Sequence, residues 1–251
     1  AIIIIDKENA TARKGIFMID ASKGFVKDGN KNRLRDQDIH KIVDAFNSQL
    51  EVEKFSRMVP VAEIETNEYN LNIPRYIDSQ EQEDIQDIEA HLLGGIPLAD
   101  IDSLQPYWEV YPALRNALFK KYARPKYVGL NIPKDEIKQT IYNHPEFNAY
   151  KSQVENVFDG WKKSVVPILE HIQIGDKPKH LIKEISEDLL SRFSNLQLID
   201  KYDVYQNLMQ YWIDTMQDDV YTLVVDGWLA GRVVEKQEKK RLTKECSTLL
   251  K

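Results

Sequence analysis

A polar stretch near the start of the chain combines cationic and amide side chains at close spacing. From Ala21 to Arg35 it contains five Lys or Arg residues, and its only acidic residue is Asp28. Lysine, arginine and asparagine side chains donate hydrogen bonds to phosphate oxygens, and the glycines and asparagines favour turns. The residues that carry this interpretation are Lys23, Lys27, Asn30, Lys31, Asn32, Arg33 and Arg35. The stretch is read as a phosphate-facing loop, with an ordinary solvated loop as the alternative.

Aromatic side chains are dense in the second half of the chain. They are Trp108, Tyr111, Phe158, Trp161, Tyr202, Tyr205, Tyr211, Trp212 and Trp228. Core packing accounts for most of such a set, whereas an exposed remainder would mark a protein interface, where Tyr and Trp are enriched.

Other chemistries find no support in the residue pattern. The only close glycine pair, Gly94-Gly95, is followed by Pro97, so the glycine spacing of a nucleotide-binding loop is absent. The five histidines are scattered, and the single cysteine, Cys246, lies in a charged tail. We therefore predict no catalytic, cofactor-binding or metal-ligating residue in these 251 residues.

The elements that must position the phosphate-facing loop begin with two apolar runs. Ile2–Ile5 and residues 15–20 read as strands buried on both faces. Because two short strands cannot form a stable sheet alone, we expect the chain to start within a larger α/β domain. A helix begins near Asp36, which is expected to be its N-cap, and short extended pieces follow at 55–60 and 70–77.

The pattern changes near residue 80. An acidic helix is predicted over 80–93, and Gly94-Gly95 ends it. Beyond this point the spacing predicts helices at 99–104, 107–119, 147–172, 181–193 and 205–216, a basic loop at 120–133 and a helical tail from 232 to 251.

Composition excludes several classes. With 42% hydrophobic residues, 29% charged residues and a net charge of −6, the chain is typical of a packed globular protein of one or two domains. The longest apolar run is far shorter than a membrane span and has no signal-peptide flanks, so no membrane association is expected. One cysteine fits a reducing cytoplasm.

Several ordered stretches resemble the back end of the methylation subunit of type I restriction–modification systems. They are residues 15–25, 29–35, 69–76, 92–97, 102–112, 202–212 and 216–221, which read GIFMIDASKGF, GNKNRLR, YNLNIPRY, LLGGIP, DSLQPYWEVYP, YDVYQNLMQYW and MQDDVY. The resemblance implies adenine-N6 methylation of double-stranded DNA, with S-adenosylmethionine as donor for the complete subunit. It also implies a specificity subunit, a second methylation subunit and a restriction subunit as partners.

The chain lacks the two motifs that carry the chemistry of this family. The glycine loop for the donor and the Asn-Pro-Pro-aromatic motif for a flipped adenine are absent. Asn72-Ile73-Pro74 and Asn131-Ile132-Pro133 lack the second proline and the aromatic residue. We therefore expect a carboxy-terminal fragment, inactive alone, to which no cofactor binds.

The expected fold is mixed: the last strands of a Rossmann-like methyltransferase sheet, followed by a mainly α-helical region. Residues 1–78 would be the remnant of the methyltransferase domain, 79–97 an acidic helix and linker, and 98–251 a helical region that docks on the specificity subunit. The residues favoured for that contact are Tyr205, Trp212, Trp228 and Arg232. The alternative is a freestanding helical protein–protein interaction module without catalytic activity.

Overall fold

The computed structural model describes residues 2–8, 10–80 and 86–232, and these form a mainly helical structure with small antiparallel sheets. The elements of the first part are β1 (Gly15–Ile19), β2 (Val26–Asp28), β3 (Lys31–Arg33), α1 (Asp36–Ser48), β4 (Ser56–Pro60) and α2 (Val61–Thr66), with 3₁₀ helices at Ala10–Ala12 and Ile73–Arg75. The mixed fold class is confirmed at this level.

The first sheet pairs β1 with β4 in antiparallel register, from Gly15 opposite Pro60 to Ile19 opposite Ser56. Gly15 is required here, because a β-carbon at this position would lie 2.2 Å from the carbonyl oxygen of Val59. Met18 and Val59 are buried together with Ile64, Tyr76 and Ile77, which form a small apolar core under the sheet.

Several predictions for this part need correction. Ile2–Ile5 is not a buried strand: its side chains are 62–91% exposed and it forms no strand. The physical reason is that, among the described residues, β1 pairs with β4 alone and offers this segment no sheet. The Ala21–Arg35 stretch is not an open loop, because β2 and β3 pair within it.

Two boundary predictions also shift. Asp36 is the first residue of α1, and Arg35 occupies the N-cap position instead. Residues 73–75 form a 3₁₀ turn with Pro74 at its start, whereas an extended piece was expected.

The second part contains α3 (Ile88–Leu93), β5 (Ile96–Pro97), α4 (Leu98–Ser103), α5 (Gln105–Val110), α6 (Pro112–Leu118), β6 (Phe119–Lys121), β7 (Tyr127–Leu130), α7 (Ile137–Asn143), α8 (Pro145–Glu170), α9 (Pro178–Phe193), α10 (Lys201–Tyr211) and α11 (Gln217–Asp226). Short 3₁₀ helices lie at Lys134–Glu136 and Ala230–Arg232, and a π-helical segment at Trp212–Met216 joins α10 to α11. The strands form a three-stranded sheet in the order β5-β7-β6.

The predicted loop at 120–133 is therefore wrong, since β6 and β7 form a hairpin within it. Of the acidic helix predicted over 80–93, α3 forms its last turns, and residues 81–85 lie outside the described residues. The tail from 233 to 251 also lies outside them.

The largest apolar core belongs to the helices that follow. Its buried members are Trp161, Val165, Ile172, Ile185, Leu189, Phe193, Leu196, Leu208, Trp212, Val220 and Val224. The helical spacing that predicted α8 and α9 is confirmed, and α8 continues through Pro167 to Glu170. None of the helices in the described part of the chain is long and apolar enough to cross a membrane.

Candidate functional site

Five of the seven residues predicted to face phosphate lie on a small hairpin formed by β2 and β3, whose turn contains Gly29 and Asn30, whereas Lys23 precedes the hairpin and Arg35 follows it. Gly29 has a positive φ of 58°, with nothing within 4 Å of where a β-carbon would lie, so the turn is open to solvent. The side chains of Lys23, Lys31 and Asn30 are exposed. The structure thus gathers five of the seven predicted residues on one hairpin.

Two cations of this hairpin are partly engaged within it. Lys27 Nζ donates a hydrogen bond to Asn32 Oδ1 over 2.7 Å, and Arg33 lies 3.3 Å from Asp28. Both pairs are exposed to solvent, where such contacts are worth about 1 kcal/mol or less. An anionic ligand could therefore displace either partner at small cost.

Arg35 has a different role. Its Nε and one terminal nitrogen donate to the two carboxylate oxygens of Asp38 at 2.9 Å each, and its backbone nitrogen donates to the same carboxylate at 2.9 Å. The hydrogen bonds from Arg35 hold the pKa of Asp38 below its usual value, and the reverse contact raises the pKa of Arg35. This pair closes the first turn of α1, so Arg35 is less available to an external phosphate than Lys23 or Lys31.

The residues predicted to bind a partner are not gathered in one place. Trp212 is 5% exposed and belongs to the helical core. Tyr205 is partly buried, its ring packs edge-on against His40 at 4.6 Å, and burial raises the pKa of its hydroxyl to about 12. Trp228 is 50% exposed, and Arg232 ends the 3₁₀ helix that follows it.

Trp228 lies within an exposed apolar patch that the sequence pattern did not single out as a whole. The patch consists of Ile174, Tyr221, Val225, Trp228 and Leu229, all more than half exposed except Trp228 at half. Trp228 Nε1 donates to the carbonyl of Ile172 over 2.9 Å, and Ile174 packs on Gly227, so the α8–α9 turn and the end of α11 form one surface. Contiguous exposed apolar groups of this kind mark interaction surfaces.

A polar junction joins the first part of the chain to the helical bundle. Gln37 Nε2 donates to Asp203 over 2.8 Å, and its backbone nitrogen donates to Gln206 over 3.1 Å. Tyr202 donates its hydroxyl to Asp44 over 2.9 Å. This junction could not be predicted from the sequence, because its members are polar residues more than 150 positions apart, a separation at which no periodic pattern links them.

The outer face of the first part is apolar and uncovered. On α1 the side chains of Ile39, Val43 and Phe46, which follow one another at helical spacing, are 43–49% exposed. The face of α1 that is buried instead carries Gln37, Asp38 and Ala45. This outer face and the exposed isoleucines at 2–5 leave several large apolar side chains of the first part in contact with solvent.

The first part of the chain is similar to known proteins. Residues 1–85 match the family model described as N-6 DNA Methylase. The match includes β1 to β4 with α1 and α2, and it confirms the resemblance for this part of the chain.

The curated relatives carry related names. The chain is 36% identical over 87 residues to the type I restriction enzyme MpnII methylase subunit of Mycoplasma pneumoniae. It is 40% identical over 89 residues to the MjaVII methylase subunit, and 35% identical over 91 residues to the MjaVIII methylase subunit, both of Methanocaldococcus jannaschii. Each match covers 34–35% of this chain and 15–16% of the relative. No solved structure matches the chain.

Proposed function

We propose that this chain is a carboxy-terminal portion of the methylation subunit of a type I restriction–modification system. The complete subunit would methylate adenine N6 in double-stranded DNA, with S-adenosylmethionine as donor. Residues 1–78 would supply the end of a Rossmann-like catalytic sheet, and residues 98–251 would dock on the specificity subunit. A second methylation subunit and a restriction subunit would complete the assembly in the cytoplasm.

The observation that carries the proposal is the unfinished apolar surface of the methylase-family part. Among the described residues, β1 and β4 pair only with each other, and the α1 stripe faces solvent. Strand edges and apolar faces of this kind are normally covered by further strands and helices. The remaining strands of a methyltransferase sheet would provide that cover.

An assembly experiment tests this step. The full chain is co-expressed with a methylase portion that carries the donor loop and the Asn-Pro-Pro-aromatic motif, together with the specificity subunit, and donor-dependent adenine methylation of duplex DNA is measured. We expect methylation only when all parts are present. Phe46→Asp should lower co-purification and methylation at least tenfold, because it places a charge in the proposed contact.

The control is Leu92→Asp on α3, which introduces the same charge at a more exposed side chain (78% for Leu92 against 43% for Phe46) outside this face. If Leu92→Asp lowers assembly as much as Phe46→Asp does, or if neither variant does, the proposed contact is wrong.

Donor binding is assigned to the complete subunit and not to this chain alone. Asn72 and Asn131, the two asparagines that precede an Ile-Pro pair, lie before a 3₁₀ turn and after β7 respectively, without a following aromatic stack. Calorimetry of the full chain with S-adenosylmethionine should therefore give no heat of binding. Micromolar affinity would contradict this assignment.

A second candidate function is a freestanding helical interaction module. Its support is that the largest core in the described residues lies entirely within the α8–α11 region and excludes the methylase-family part. Gel filtration and urea unfolding separate the two functions. A monodisperse, cooperatively folding monomer favours the module, whereas self-association through the uncovered face favours the subunit portion.

A further inference from the structure

The second hairpin, defined here as residues 119–130 with β6 and β7, concentrates positive charge in a chain that is negative overall. Residues 119–138 contain six Lys or Arg residues and two acidic residues, while the whole chain has a net charge of −6. Local charge of this kind, and not the overall balance, decides whether a surface attracts a polyanion.

Three lysines of the second hairpin are exposed and unengaged. They are Lys120, Lys121 and Lys126, and among the described residues none of them lies within 4 Å of a carboxylate. The neighbouring acidic groups are occupied by other partners. Arg124 pairs with Glu89 at 2.5 Å, and the Tyr127 hydroxyl donates to Asp87 over 2.8 Å.

The tip of the second hairpin is held rigidly. The Arg124 guanidinium lies 3.9 Å from the centroid of the Tyr127 ring and also donates to the carbonyl of Gly94. The carbonyl of Lys126 accepts a hydrogen bond from the backbone nitrogen of Leu98 over 2.9 Å. The exposed lysines therefore extend from a fixed scaffold, which lowers the entropic cost of binding.

Glycines leave room for the ring of Tyr122 beside the second hairpin. A β-carbon at Gly129 would lie 3.3 Å from the ring of Tyr122 and 3.9 Å from the side chain of Lys120, and β-carbons at Gly94 and Gly95 would lie 2.9 and 3.1 Å from Tyr122. Tyr122 and Lys120 thus lie side by side over bare backbone. Because β6 is an edge strand of its sheet, Lys120 and Lys121, which point to opposite faces of that strand, are both accessible to a row of phosphates.

We propose that the second hairpin contacts the phosphate backbone of duplex DNA through Lys120, Lys121 and Lys126, at a site separate from the β2–β3 hairpin. The choice of DNA among polyanions rests on the proposed function, whereas the presence of an anion-binding surface rests on the charges and geometry alone. The contacts carry no sequence information, because they reach only the backbone.

Fluorescence anisotropy of the full chain with a short labelled duplex, measured over a range of salt concentrations, tests the proposal. The triple variant Lys120→Gln, Lys121→Gln, Lys126→Gln should lower the slope of log affinity against log salt by about 2 to 3, since each lost phosphate contact removes about 0.9. The matched control is Lys162→Gln, Lys163→Gln, Lys179→Gln, which removes the same charge from exposed positions on α8 and α9. This control should change the slope by less than the value of about 0.9 expected for one phosphate contact.

The other outcomes are equally defined. Equal slopes in the variant and the control, or no binding by the wild-type chain at low salt, would overturn the proposal. Tighter binding to an acidic peptide than to the duplex would overturn it in favour of a protein partner.

A third variant, Lys23→Gln, Lys27→Gln, Lys31→Gln, separates the two sites. If this variant leaves the salt slope unchanged while the second-hairpin variant lowers it, the β2–β3 contact is wrong and the second-hairpin contact is supported. If the methylation assembly fails but the wild-type chain still binds the duplex with the expected salt dependence, the proposed function is wrong and this inference stands.

Discussion

Tyr202 donates its hydroxyl to the carboxylate of Asp44 over 2.9 Å, and this bond connects α10 to α1 across 158 positions of the chain. Burial, together with this contact, raises the pKa of the Tyr202 hydroxyl well above its ordinary value. The part of the chain that matches the methylase family model and the helical bundle are therefore joined by a partly buried hydrogen bond to a charged group, reinforced by the bonds of Gln37.

Removing this bond should loosen the junction. Tyr202→Phe leaves the Asp44 carboxylate partly buried without its donor, so we expect a loss of about 1 to 3 kcal/mol in the free energy of unfolding. Urea unfolding followed by circular dichroism measures the loss. Tyr205→Phe is the control, because in the described residues its hydroxyl makes no such bond, and a loss as large as that of Tyr202→Phe would show that ring packing, and not the hydrogen bond, holds the junction.

Acid stability should report the Arg35–Asp38 pair. The pKa of Asp38 is lowered in the folded chain relative to the unfolded chain, so its contribution is present above the unfolded pKa of about 3.9 and is lost as pH falls through the folded value. In Asp38→Asn this part of the pH dependence should be missing. Unfolding free energies measured from neutral pH down to acid pH for both proteins give the difference. Parallel curves would contradict the pKa shift.

The sequence predicted elements whose pattern is set locally and missed those set by distant partners. β1, α8 and α9 follow directly from apolar spacing, and the structure confirms them. The opening isoleucines fail because their prediction depended on neighbouring strands that the described residues do not contain. The β6–β7 hairpin was missed because both strands are short, β6 is rich in lysine and β7 contains Gly129, so no alternation of apolar residues identified them.

The candidate sites were likewise predictable in composition but not in the contacts of each residue. Composition located the cations of the β2–β3 hairpin, but it could not separate Arg35 from the others, because the partner that engages it is three residues ahead on a helix face. Aromatic density likewise could not distinguish the buried Trp212 from the exposed Trp228, since the difference arises from packing between helices.

Gly95 should be intolerant of a side chain. Its φ is +94°, and a β-carbon would lie 3.1 Å from both Tyr122 and Tyr127, so Gly95→Ala combines backbone strain with a clash. We expect a loss of about 2 to 4 kcal/mol in unfolding free energy. Gly29→Ala, also at positive φ but in open space, should cost only about 1 to 2 kcal/mol. Equal losses of unfolding free energy in the two variants would show that contact with Tyr122 does not contribute to the cost at Gly95.

DNA binding should separate Arg35 from the exposed cations of the β2–β3 hairpin. Arg35→Gln breaks the bonds to Asp38, so it should lower the unfolding free energy by about 1 to 3 kcal/mol while leaving the salt dependence of duplex binding unchanged. Charge reversal of Lys23, Lys27 and Lys31 should leave the unfolding free energy nearly unchanged but abolish the contribution of these residues to duplex binding. Should Arg35→Gln lower the salt slope by a full contact in a folded protein, Arg35 is itself a phosphate ligand.

The apolar patch at the end of α11 should bind the specificity subunit. Val225 and Leu229 are 65% and 73% exposed, so Val225→Asp with Leu229→Asp removes little packing and should change the unfolding free energy by no more than about 0.5 kcal/mol. The same pair places two carboxylates where an apolar partner surface would be desolvated, so the affinity for the specificity subunit should fall at least tenfold in a pull-down titration. Ile213→Asp, on the π-helical segment and 52% exposed, provides the matched control because it adds a charge outside the patch. If the control weakens binding as much as the patch variant, the contact lies elsewhere on the bundle, and Trp228 has no part in it.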